Sequence, residues 1–555
     1  MNKSKDNAAL RGGLPETLVG KSRREARRVS AFGGMDTPFG GGEVLEAGMN
    51  LSPRREAPWG RHAGARGGSA IATRKPRGLF AFGQGEGAPH GMVSFDGAVI
   101  RARGTGLYRT LGGTTVSLGT VSDTPKQFVS FGDRLYIYPD KLYLERGGGM
   151  PKPLELDTGV IPEAEYTGNT VTLPKGYSWG TMGFIEGDSL RVISADDDTP
   201  APEGYYRILK LQGTVATVSP AFPANYTSDS RFLRSVPALE RCCVCGERVY
   251  GVAGRDIYVS AAGSATDFFT RPGSDGLGAL HIHTDTEGDF TALSPWQGYV
   301  VFFKEGRICR LLGSRADSMV LQDNRGVGIP SALADTLCEV GDALYYCAAG
   351  GVYRYRGQEP QRVCPVGEGG VSAGCGGTDG HAYYLSAQTP AGWRMSLYLP
   401  EAEEWYPEDS TRATAMLTLG GFLAFSDGEG KVWLTASDGR SAPCASNEIT
   451  LGGIPTASAT LATRHCEERD GFRLTGLCLR ASAPAGSTLR VYGTYAAGEA
   501  VETCLLGEYA GGFADRLLRV PVIPRLCDGV TLRLDMAGEW VIHEVLEEYE
   551  TMGKR

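Results

Sequence analysis

The sequence predicts an all-β chain: a β-propeller of about seven blades, with a small β-barrel inserted in it and a β-sandwich at the C-terminal end. Three observations predict this. One hairpin phrase recurs, as GERVYGVAGRDIYVS at 246–260, QGYVVFFKEGRICRLLG at 297–313 and GDALYYCAAGGVYRYRG at 341–357. Each copy alternates Val, Ile, Tyr and Phe between glycine turns, which is the pattern of paired strands. A hairpin unit returning every ~45–50 residues marks a propeller. Second, the 79 glycines among 555 residues are about twice the usual share and imply many tight turns. Third, no stretch carries helical amphipathicity.

Residues 1–78 hold basic residues in bunches, at Arg23, Arg24, Arg27, Arg28, Arg54, Arg55, Arg61, Arg66, Arg74, Lys75 and Arg77, with few periodic apolar positions. Such a segment buries too little to fold alone. It reads as an extended assembly arm that docks on an acidic neighbour or on the chain's own acidic body, leaving the propeller folded when residues 1–70 are removed. Propeller units then occupy 79–153, as MVSFDGAVIRARGTGLYR at 92–109, with an Asp96-Gly97 turn, and KQFVSFGDRLYIYPDKLYLERGG at 126–148. Short alternating strands over 154–236 suit the inserted barrel. Five more units fill 237–446, two before the insertion making seven. From 447 to 555 longer strands alternate strictly, as two packed antiparallel sheets do.

The formal net charge of -8 argues against a general nucleic-acid binder. No apolar run approaches the ~18 residues a membrane span needs, and the N-terminus lacks the apolar core of a secretory signal. Synthesis and folding in a cytoplasm are expected. The 13 cysteines, Cys242, Cys243 and Cys245 included, lie mostly in strand-like runs and read as small buried side chains.

Chemistry is sparse. His281, His283 and Asp285 share one strand face in LHIHTDTEGDF, and two imidazoles with a carboxylate can hold zinc or iron. No further ligand is identifiable, so a polar strand face is expected and no metal or cofactor is assigned. Asp196-Asp197-Asp198 lacks the order and closing glutamate of a calcium loop. Ser426-Asp427-Gly428-Glu429-Gly430-Lys431-Val432-Trp433 approaches the S-x-D-x-G-x-T-W turn of sialidase-like propellers, a hairpin brace without chemistry. Glu401, Glu403 and Glu404 beside Trp405 are not distinguished from other acids by the paired spacing a glycosidase needs. There is no phosphate loop, HExxH or GxSxG. No catalytic residue is assigned, and the chain is expected not to be an enzyme.

The phrases GMNLSPRREAPW at 48–59, FVSFGDRLYIYPDKLYL at 128–144 and RVYGVAGRDIYVSAAGSATDFF at 248–269 come in a telling order. They are followed by GDFTALSPWQGYVVFFKEGRICRLLGS at 288–314 and GVGIPSALADTLCEVGDALYY at 326–346, then GGVYRYRG. This order resembles that of propeller-containing tail proteins of tailed bacteriophages and of prophages in Firmicutes-type bacteria, from about Phe32 onward. The resemblance implies a nozzle-like virion component, a homo-oligomeric ring below portal and adaptor or at the tail tip, lining the DNA exit path and touching the genome transiently. It brings no catalytic residues. The competing readings are a receptor- or carbohydrate-binding propeller, for which Trp296, Trp393, Trp405 and Trp433 are the available aromatics, and a glycan-cleaving enzyme.

Overall fold

The computed structural model describes residues 22–29, 45–49, 51–55, 69–80, 82, 85–195, 200–271, 276–348, 350–365, 370–435, 449–465 and 471–552. The Asp196-Asp197-Asp198 turn lies outside them.

The recurring phrase is the inner half of a propeller blade. In blade 4 the strands are Ala292–Trp296, Tyr299–Lys304, Arg307–Leu312 and Val320–Arg325, each antiparallel to the next. Every residue of its second strand after Tyr299 is buried, because the strand lies between two neighbouring sheets. Val300 and Phe302 pack with Tyr250 and Val252 of one neighbour. Val301 and Phe303 point the other way, Phe303 meeting Tyr346 at 5.2 Å between ring centroids. An apolar run without polar alternation is therefore what an inner blade strand requires. The hairpin turns supply the reversal: Asp96 (φ 51) and Gly97 (φ 71) both adopt the left-handed backbone that a two-residue hairpin demands.

Blade 1 runs from Pro89 to Thr120 and blade 2 from Gln127 to Pro153. Blades 3 to 6 begin at Arg241, Ala292, Cys338 and Ala373. Blade 7 has Ala413–Leu419, Phe422–Asp427 and Val432–Leu434 from its own stretch. Its fourth strand comes from far upstream: Gly78–Phe80 pairs with Trp433 and Leu434, and Ile449–Leu451 adds outside it. The first strands of the blades neighbour one another in order, and that of blade 7 returns to that of blade 1. Seven blades close a ring.

The inserted barrel is closed, in the order Leu156–Thr167, Thr170–Thr172, Val215–Ser219, Gly204–Gln212, Ser189–Ser194, Tyr226–Arg234. Trp179, Tyr166, Phe184 and Phe232 fill it. At its root Arg234 and Asp188 form an ion pair with neither side chain exposed. Arg234 Nε donates to the Leu154 carbonyl at 2.6 Å, and Thr266 of blade 3 donates to Asp188 at 2.6 Å. Arg271, held by both oxygens of Asp267, donates to the Tyr205 and Tyr206 carbonyls of the barrel.

The N-terminal arm docks on the chain's own body, as strands of the sandwich. Ser22–Val29 and Ser69–Thr73 pair with the last strand, Val541–Met552, and Leu51–Arg55 pairs with Ser69–Thr73. Leu45–Met49 pairs with Ala457–His465 in the second sheet. The arm's sparse apolar residues are the reason it docks: Leu51, Ala70, Ile71 and Ala72 are all buried. Beyond them, Arg77 is buried on Glu408 and lies 2.9 Å from Asp409, which also takes Arg74 at 3.2 Å. Lys75 reaches Glu539 at 2.7 Å. Among the described residues no helix is long and apolar enough to cross a membrane.

Candidate functional site: the hub of the ring

Where the first strands converge, those of blades 1, 2, 3, 4, 6 and 7 and the segment entering blade 5 line a cavity of about 340 Å³. Its polar groups come from the turns between neighbouring blades and, at Arg241 and Asp335, from blades 3 and 5. Lys126, with no exposed side-chain surface, donates to Ser122 Oγ (2.7 Å) and Thr124 Oγ1 (3.0 Å) and lies 2.7 Å from Asp140. Burial raises the Asp140 carboxyl, but its bonds from Lys126 and Ser122 outweigh this and hold it below its ordinary value. His90 Nε2 lies 2.5 Å from Asp123. Arg241 of blade 3 reaches Asp335, 94 residues away, in the short 3-10 helix Ser331–Thr336 that enters blade 5. Lys126 and Arg241 thus each have a carboxylate of their own. The throat is polar and charge-compensated, sized for a small molecule and not for a nucleic-acid strand.

The histidines fall on the outer edge, not at the hub. His281 and His283 lie on the fourth strand of blade 3, and both rings turn to one oxygen of Asp256, at 3.0 and 2.8 Å. Asp285, fully exposed, stands 4.0 Å from His283. His281 also stacks on Tyr258 at 4.7 Å. Among the described residues no three His, Cys, Asp or Glu side chains form a metal-holding group.

The basic residues of the arm sit on a ladder. Arg23, Arg24, Arg27 and Arg28 lie opposite Thr551, Glu550, Glu547 and Leu546, and Arg54 and Arg55 opposite Ala70 and Ser69. Arg27 comes within 4.0 Å of the buried Glu547. Glu403 pairs with Arg354 at 3.2 Å, and Glu404 takes the Tyr406 hydroxyl at 2.5 Å. Trp296 and Trp405 are core residues. Trp393 lies under Arg412. Trp433 donates to Asp427, whose other oxygen takes the Glu429 and Lys431 amides, all at 2.8–2.9 Å. That is the hairpin brace read from the sequence.

The described cysteines are free thiols, and burial pushes those of Cys309, Cys347 and Cys364 up to about 12. Sequence reasoning missed the hub pairs, Lys126 with Asp140 and Arg241 with Asp335. Their partners are distant or lie in different turns, so no local spacing marks them.

No family model matches the chain, and no curated protein matches it. Among solved structures, PorZ of Porphyromonas gingivalis, an essential bacterial surface component of the type-IX secretion system, is 12% identical with a TM-score of 0.35. The match covers 70% of this chain and 43% of PorZ. BamB from Moraxella catarrhalis is 10% identical over 72% of this chain and 100% of its own, with a TM-score of 0.35. The computationally designed Ika8 protein is 11% identical over 65% and 99%, with a TM-score of 0.34. Likeness at this level carries no function across.

Proposed function

We propose that this chain is a structural component of a bacteriophage tail, a nozzle-like protein made in the host cytoplasm and built into the virion as one copy of a ring. The observation that carries the reading is mechanical. The propeller is closed by its own upstream strand; it joins the barrel where Thr266 donates to Asp188 and Arg271 to the Tyr205 and Tyr206 carbonyls, and it holds the segment leaving the sandwich where Arg74 and Arg77 meet Asp409 and Glu408. Buried polar groups are costly to strip of their partners, so in this reading the three parts move as one stiff block. A stiff block with broad outer faces suits repeated contacts that close into a ring. The phrase order shared with phage tail proteins gives the same direction.

In this reading the DNA path runs along the axis of the assembled ring, since the hub of one propeller is too narrow for it. Neighbours are an adaptor, a portal or tail-tip proteins. No enzymatic step is assigned. The test is mass spectrometry of particles purified after induction of the host strain that encodes the chain. Peptides of this chain at a fixed multiple of the portal protein are expected. Particles complete with tails yet lacking those peptides contradict the proposal.

A further inference from the structure

Blades 4 and 5 leave a second cavity between them, of about 400 Å³. Ile308 and Arg310 form its floor and Tyr355 with the turn at 357–360 its far wall, while Asn324 and Arg325 stand exposed at the mouth. The floor arginine is unusual among its neighbours. Arg307 has Asp323 at 3.0 Å, Arg354 has Glu403 at 3.2 Å and Arg356 has Asp342 at 3.0 Å. Arg310 is half-buried and has no carboxylate partner among the described residues. Its Nη1 donates to the Gly357 carbonyl at 2.7 Å, and its Nε is buried without a hydrogen-bond partner among the described residues. That bond fixes its orientation without pairing it to a carboxylate.

A cation partly withdrawn from water favours an anion beside it, and the planar guanidinium fork matches a carboxylate. The cavity's other groups describe the rest of the ligand. Asn324, Gln358 and Glu359 offer amide and carboxylate partners for several hydroxyls, and Ile308, Tyr355 and Pro360 give a wall for the face of a ring. That suits a polyhydroxylated ring better than an aliphatic acid. We infer that the cavity between blades 4 and 5 binds an acidic sugar, its carboxylate on Arg310 with Arg325 as the second cation, its hydroxyls on the mouth side chains. This does not rest on the tail assignment, and failure of either leaves the other standing.

The test is saturation-transfer NMR on the full chain with D-glucuronate and, separately, D-glucose. Transfer to glucuronate and none to glucose is expected, lost in Arg310→Gln. Because that variant touches packed tyrosines, Arg325→Ala at the exposed mouth is measured beside it and is expected to weaken binding on the order of tenfold, the worth of one charged hydrogen bond. A glucuronate-containing tetrasaccharide separates the two sources of this chemistry: tighter binding than the monosaccharide assigns a surface glycan, and equal binding a free sugar acid. Equal transfer to glucose, transfer to neither sugar, or undiminished glucuronate binding in both variants overturns the inference.

Discussion

Arg234 and Asp188 face each other at the root of the barrel, and neither side chain has any exposed surface. Every remaining polar atom of the pair that the joint offers a partner is used, by the Leu154 and Gly183 carbonyls, the Ile185 amide and the Thr266 hydroxyl. Removing one partner strands the other charge. Asp188→Ala is expected to lower the stability of the full chain by about 3–5 kcal/mol, read by urea denaturation, with hydrogen exchange quickening first at the barrel's root.

The seventh blade depends on a strand from the other end of the ring. Leu79 pairs with Trp433 on one side and Thr450 on the other. Proline there removes a donor in the middle of a sheet, so Leu79→Pro is expected to cost about 3 kcal/mol or more. Calorimetry is expected to show a broadened melt as the ring opens.

Asp427 organises the last hairpin through three donors. Asp427→Ala is expected to cost about 1–3 kcal/mol and to shift the fluorescence of Trp433, which loses the partner of its indole N–H.

How legible was all this beforehand? The blades were legible because an inner strand buried on both faces has to be written as an unbroken apolar run, as at 300–304 and 343–348, and the turns need glycine or Asp-Gly. The closing strand Gly78–Phe80 was not, because three residues carry no period of their own. The arm was legible as basic and poor in apolar residues. Its role in the sandwich was hidden, since strands at a sheet edge draw on backbone pairing, which composition does not record. Of the hub, only the lining strands could be placed. Of its ion pairs, Arg241 with Asp335 joins blades 3 and 5 and depends on ring closure.

The arm also predicts a pH dependence. Burial holds the Glu547 carboxyl above its ordinary value, against the smaller pull of Tyr549 and Arg27. A raised acid binds its proton more tightly in the folded chain. Its contribution is therefore fully present below the unfolded carboxylate pKa and is lost as pH rises through the raised one. Glu547→Gln is expected to be more stable than wild type at neutral pH, on the order of 1 kcal/mol, with the difference vanishing in acid. Thermal melts across that range check it.

Thiol reactivity is a further check on the blade cores. The thiolate is the nucleophile, so Cys309, Cys347 and Cys364 are expected to resist iodoacetamide at pH 8 in the native chain. All three are expected to react in denaturant, as peptide mass spectrometry reads.

The most direct measurement is cryo-electron microscopy of the purified full chain over a range of concentrations, with mass photometry of the same samples. The account predicts closed rings of identical copies around an open axis, each copy a seven-bladed wheel with barrel and sandwich in fixed positions. A chain that stays a monomer at every concentration, its appendages swinging freely about the wheel, would contradict it.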